Sequence, residues 1–336
     1  MIDFTQCDVE PLRVYDGANG KKICVIYNNE RYMLKFPALA RNNPVMHYSN
    51  GCLNEHIASS IYRTLDITTQ ETILGIYNGK MVVACKDFCN PGDRIVNFAM
   101  IKNACIDSSL NGYGTELEEV LQSIEEQNLY DVKEIKEHFW KMFAADAFLG
   151  NFDRHNGNWG IIVNELTRET RIAPVYDNGS CLYPQLTDKQ MEKILETRSE
   201  IENRLYVFPN SALKIDNKKI NYYNFLTKTQ DIDCIRALQY VTEHISMDKI
   251  KKVIRNIPMT DIQQQFYLTM LIERKEHIIE KAYQLQKERG YIVTKEPKKT
   301  PKKKKSTNRK YVPRIYIWKL LYLPGNELSR KNRVNN

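Results

Sequence analysis

The sequence predicts an α+β, two-lobed fold. A small antiparallel sheet lobe with one helix spans residues 1–88, and a larger, mostly helical lobe spans 89–290. Three observations carry this expectation. Short alternating runs broken by hairpin-type turns fill the first part. Beyond residue 90 the apolar residues recur at helical spacing. One dense polar stretch, Leu149 to Gly160, then interrupts the helical pattern, and a strand-like run from Trp159 to Val163 follows at once.

In order along the chain, residues 23–36 read as two strands joined at Asn28-Asn29, because Asn tolerates the positive φ that tight hairpins demand. Leu53, Ile57, Ile61 and Leu65 form one helical stripe over residues 50–65, with Glu55 to one side of it. Two more strands, Thr72 to Tyr77 and Lys80 to Phe88, meet at Asn78-Gly79. Helices follow around Leu117–Ile124 and around Ile135–Phe143, the second stopped by Gly150. After a hairpin over 159–177, helical spacing returns at Met191–Leu205 and at Asp248–Asn256. A long helix is then expected from about Asp261 to Arg289, with Thr260 as N-cap and Gly290 as its stop.

The net charge of +8 has to be divided before it means anything. Residues 291–336 hold 14 of the 49 Lys and Arg against Glu296 and Glu327 alone, so the first 290 residues carry a net charge of −4. Basicity belongs to a tail whose Lys- and Pro-rich stretch, 294–310, is expected to be disordered. Ile315 to Leu323 is apolar but too short to span a bilayer. Beside the polybasic run, that segment is expected either to meet an anionic membrane surface or a partner, or to dock on the body. Nucleic acid is the other partner expected of the tail, whereas the body offers no such footprint. Eight scattered cysteines, Cys85 and Cys89 the only close pair, suit free thiols in a reducing cytoplasm better than a zinc site. The acidic N-terminus lacks the form of a signal peptide, and no run has the length of a transmembrane segment.

The polar stretch holds the chemistry. Asp153 and Asn158 stand five positions apart, the spacing of a catalytic Asp and a metal-binding Asn in phosphoryl-transfer enzymes. Arg171 to Gly179 then reads as a strand delivering Asp177 into a glycine turn. On this reading Asp153 takes or orients the proton of an attacking hydroxyl, while Asn158 and Asp177 hold Mg2+ through oxygen. Lys35 ends the apolar run Tyr32–Phe36, a costly place for a lysine unless an anion meets it. It is placed on nucleotide phosphates with Glu55 as its partner, and its removal is expected to change stability little. Gly17 and Gly20 form a flexible turn able to lie over a phosphate. His155 is either a second acid–base or a hydrogen-bonding brace of the loop. Arg154 is read as a phosphate contact or a salt bridge within it. Local turn chemistry would also account for each Asn, Asp and Gly singly, though not for the whole ordered set.

These residues resemble the HipA-like serine/threonine kinase family. Asn151-x-Asp153-x-His155-x-x-Asn158 is similar to its catalytic loop, Asp177 to its metal-binding Asp, and Lys35-Phe36-Pro37 to its nucleotide-binding lysine. Val83 to Phe88, which includes Lys86, is also similar, so Lys86 joins the candidate nucleotide contacts. The resemblance covers roughly residues 3–290. It implies a bilobal protein-kinase-like fold, ATP, Mg2+, a protein Ser/Thr substrate, autophosphorylation and, for the chain's destination, delivery to a host cell. The loop departs from the pattern at Gly157, where many relatives have Lys, and no full Gly-x-Gly-x-x-Gly is present. Two alternatives stay open: a small-molecule phosphotransferase of the aminoglycoside-kinase type, and an inactive kinase-like scaffold whose basic tail binds membrane or nucleic acid.

Overall fold

The computed structural model describes residues 1–15, 20–39, 47–106 and 110–292. Gly17 and the tail beyond Ile292 lie outside the described residues, and so do the expectations that rest on them.

The chain adopts the α+β architecture expected from its sequence. Strands β1 (Ile2–Asp3), β2 (Asp8–Val9), β3 (Lys22–Tyr27) and β4 (Glu30–Lys35) come first, then a short pair, β5 (Ala38–Leu39) and β6 (His47–Tyr48). Helix α1 (Gly51–Thr64) follows, then β7 (Thr72–Tyr77) and β8 (Lys80–Lys86). Six of these strands form one sheet in the order β1-β7-β8-β4-β3-β2, antiparallel except where β1 runs alongside β7. Both hairpins turn where expected, with Asn28 and Asn29 at φ 51° and 61° and Asn78 and Gly79 at 47° and 73°. One sheet face buries Val25, Leu34, Val82 and Ala84 with Phe4. The other packs Val83 and Cys85 with Cys52 of α1. Lys35 sits on this second face, in register with Val83 on one side and Lys22 on the other.

Beyond β8 come β9 (Asp93–Asn97), α2 (Phe98–Cys105), α3 (Leu117–Glu126), α4 (Val132–Leu149), β10 (Gly160–Asn164) and β11 (Thr170–Ile172). The sequence offered a single polar hairpin here. The structure instead has a three-stranded sheet, β11-β10-β9, and later a second hairpin. That later hairpin, β12 (Asn210–Ile215) with β13 (Lys218–Asn221), follows α5 (Asp188–Leu195) and α6 (Arg198–Glu202). It turns on Asp216 and Asn217 at φ 52° and 62°. Helices α7 (Tyr222–Lys228), α8 (Ile232–His244), α9 (Met247–Asn256), α10 (Asp261–Arg274) and α11 (Lys281–Glu288) complete the chain. The expected long helix is α10 and α11 joined through a π-helical segment, Lys275–Glu280. Thr260 caps its start in a reciprocal box with Gln263, and Gly290 follows its end at φ 79°. Among the described residues no helix is long and apolar enough to cross a membrane.

Helix α1 belongs to the sheet by sequence, yet it is fastened to the helical part. Asn54 Nδ2 donates to the carbonyls of Cys181 and Leu182, and its Oδ1 accepts from Tyr267 on α10 at 2.8 Å. Asn50 donates to Leu186 O and accepts from Gln263. Leu53, Ile57 and Ile61 enter the same large core as α4, α8 and α10. This fixes where Glu55 stands relative to the polar loop.

Candidate active site

Helix α4 delivers the loop. Gly150 closes it in the left-handed region at φ 68°, a conformation that costs a β-carbon residue and not glycine. Asp146, buried one turn before the end, then organises the polar residues beyond it. Its carboxylate accepts from Tyr62 Oη at 2.7 Å, from Asn151 Nδ2 at 2.8 Å, and from Arg154 through Nε and Nη2. The Arg154 guanidinium is only 5% exposed. Its remaining N–H groups reach the carbonyls of Asn158 and Tyr176 and the side chain of Asn178. Arg154, grouped with the catalytic residues on sequence, is thus spent on every side in bracing the loop against the Asp177 segment, and no donor remains for a phosphate.

Asp153 rides on this frame. Its N–H is held by Asn151 Oδ1 at 3.0 Å, and its carbonyl accepts from His155 N and from Asn158 Nδ2. Burial raises the Asp153 carboxyl above its ordinary range, and the charge of Asp177 adds to this against the pull of His155. Asn158 spends its amide N–H on the loop, and among the described residues its Oδ1 accepts no hydrogen bond. His155 Nδ1 accepts from Gly157 N at 3.0 Å, so the neutral ring carries its proton on Nε2. Tyr176 Oη donates to Gly157 O, tying the loop to the strand segment opposite.

Asp177 arrives differently from the expectation. The β11 strand ends at Ile172, Val175 makes a single parallel bridge to Thr69, and Asp177 itself takes φ 58°. The turn is therefore made at the aspartate and not at Gly179. A left-handed Asp is tolerated because its short polar side chain bonds locally or to a partner. Here the partner is Lys35, whose Nζ donates to Asp177 Oδ1 and to Glu55 Oε2, both at 2.9 Å. Glu55 is 1% exposed, and its other oxygen accepts from Asn178 N at 2.8 Å. Desolvation works against the charged forms of this group, but the carboxylates outweigh it at Lys35 and raise its pKa well above the usual lysine range. In turn the lysine holds Asp177, crowded by protein on one side though 47% exposed, at about 2.

The structure thus brings together Lys35, Glu55, Asp177, Asn158 and Asp153. It leaves Lys86 elsewhere. Alternation along β8 puts that side chain on the sheet face opposite Lys35, where it pairs with Glu30 at 2.7 Å. Gly20 is exposed at φ 74°, at the approach to β3. Sequence reasoning passed over Asp146 and Lys22. Asp146 is a charge within the apolar run Met142–Leu149, the same signal that picked out Lys35. Lys22 faces Lys35 across the hairpin, and its charge helps to lower Asp177. Counting outward from the Asn28-Asn29 turn would have found that pairing.

A strand lysine paired with a helix glutamate, facing a loop Asp and a second, metal-type Asp, is the arrangement of the protein-kinase class. Within that class the chain belongs to the HipA-like family, matching the HipA-like C-terminal domain over residues 15–260. It is 47% identical to the serine/threonine-protein kinase CtkA of Helicobacter pylori over 84% of this chain and 87% of that one. The crystal structure of the Helicobacter pylori proinflammatory kinase CtkA superposes with a TM-score of 0.82 at 47% identity, covering 85% of this chain and 98% of that chain.

Proposed function

We propose that the chain is an ATP- and Mg2+-dependent protein serine/threonine kinase able to phosphorylate itself. One observation carries the reading. Lys35, Glu55 and Asp177 converge from the sheet, α1 and the loop after β11, next to Asp153. Lys35 is the nucleotide contact, oriented by Glu55 toward the phosphates. Asp153 is the base, because its raised pKa brings it nearer to neutral while Asp177 stays ionised. Two neighbouring carboxyls pushed apart in this way divide acid–base work from charge work. Asp153 accepts or orients the proton of the Ser or Thr hydroxyl as that oxygen attacks.

The donor chemistry fits Mg2+, a hard ion that takes few protein oxygens and keeps phosphates and waters. Asp177 and Asn158 would hold it, and it would offset negative charge on the transferred group. The boundary between the two lobes is taken at 88/89. The acidic remainder of the body and the basic 291–336 segment are taken as separate, the latter binding anionic partners.

The test is incubation with γ-labelled ATP and Mg2+, followed by separation of protein from small molecules. Label on protein supports the proposal, and label on a small acceptor supports an aminoglycoside-kinase-type phosphotransferase instead. An absence of turnover supports an inactive scaffold.

A further inference from the structure

A recess opens directly beside the loop, lined by Phe152, Tyr183, Gln185, Phe208 and Lys219 among others. Phe152 immediately precedes Asp153, so the recess begins one residue from the proposed base. Phe152, Tyr183, Phe208 and Pro209 give it an apolar side, against Gln185, Asn210 and Lys219, and the rim adds surface that a folded chain ordinarily hides. Phe208 is 38% exposed and its neighbour Val207 58%. Exposed apolar groups gathered at one edge of a site mark a place where something docks. Polar features point to a polypeptide occupant. Gln185 Oε1 is buried and, among the described residues, accepts no hydrogen bond. Lys219, on the exposed β13, is close enough for its charge to act on Asp153.

Resting on the kinase reading, we infer that this recess is the subsite for a large apolar residue flanking the accepting Ser or Thr, with an acidic residue beside it that meets Lys219. An apolar ring packs against the surface made by Phe152 and the edge-to-face pair Tyr183 and Phe208. The acidic neighbour complements Lys219, and the approach of a cationic peptide is disfavoured there. The basic tail is for that reason the wrong sign to be the preferred occupant.

The experiment uses the full chain and a positional-scanning peptide library with one fixed Ser or Thr. Selection of Phe, Tyr, Leu or Ile at one position beside the acceptor, with Asp or Glu near it, is the expected result. Phe208→Ala should raise KM for such a peptide about tenfold, the scale on which an apolar pocket discriminates. KM for ATP should hardly move. Lys219→Glu, on an exposed strand, should invert the charge preference, so the inference does not depend on Phe208→Ala folding well. A flat selection profile, an unaltered peptide KM in Phe208→Ala, or self-labelling with no labelling of any peptide would each overturn the inference and leave the kinase reading standing. Bound ATP with no transfer to any protein or peptide would bring down the kinase reading and this inference with it.

Discussion

At Lys35 the removal of one amino group touches two carboxylates at once. From the sequence alone, Lys35→Ala relieves an apolar strand of a charge. The structure reverses that expectation, because Glu55 is 1% exposed and would keep only the Asn178 N–H. Breaking a buried pair from one side costs about 3–5 kcal/mol. Lys35→Ala should therefore lose both activity and thermal stability, whereas Lys35→Met with Glu55→Leu should recover stability without activity. Melting curves beside turnover assays check both, and a Lys35→Ala chain as stable as the parent would show that Glu55 does not need its partner. Asp153→Asn should behave differently. On the proposed role its carboxyl serves the hydroxyl and not the nucleotide, so turnover should fall by about 10²–10⁴-fold while ATP affinity by calorimetry stays near that of the parent. Nucleotide affinity falling in step with turnover would count against the assigned role. Since burial raises the Asp153 carboxyl, the acid limb of the rate profile should lie higher than an ordinary aspartate would place it. The base is lost as pH falls through that raised pKa.

Among elements, the loop after α4 behaves as one unit. Asp146→Ala leaves the Arg154 guanidinium buried without its charge partner, for a cost of about 3–5 kcal/mol. Activity should fall with it although both residues are spent on bracing the loop, and urea unfolding measures the loss. A silent Asp146→Ala would mean that the loop is set by its backbone alone. What was legible in the sequence at this scale was local. Asn28-Asn29 and Asn78-Gly79 announced hairpins and Gly150 announced a stop because each needs a left-handed backbone that few residues take cheaply. Asp216-Asn217 carries the same signal but was passed over, because β12 is half-buried with Lys214 among its apolar residues. The strand β9 hid for a similar reason, with only Val96 fully buried. Arg154 was ambiguous because its partners Asp146 and Asn178 lie 8 and 24 positions away and are gathered only by the tertiary fold. Lys86 misled because resemblance along a strand says nothing about which face a residue takes.

For the molecule as a whole, two histidines set a pH dependence. Burial lowers His56 and His138 to about 4, from an ordinary value near 6.5. Below pH 6.5 the unfolded chain binds protons that the folded chain refuses, so stability should decline as pH falls from about 6.5 to about 4. Asp177, held at about 2, adds a further loss only at lower pH. Melting temperature against pH for the parent and for His56→Gln with His138→Gln checks this. An equally steep decline in the double variant would assign it to other groups. Shortening also becomes more specific. A chain ending at Gly290 would discard Ile292, which is 6% exposed, whereas one ending just after Ile292 should keep its melting point and its activity. A drop in either would show that the basic segment contributes to the body.

The fastening of α1 carries a consequence for control. Enzymes of this class are often silenced by swinging such a helix outward and parting its glutamate from the lysine. Here that swing would strip Asn54 of its bonds to Cys181, Leu182 and Tyr267 and draw Leu53, Ile57 and Ile61 out of the shared core. Helix α1 is held in the engaged position by these contacts, so disengaging it would cost all of them at once. On the kinase reading, control is expected to act on the amount of the protein or on the access of its acceptors rather than on the position of this helix.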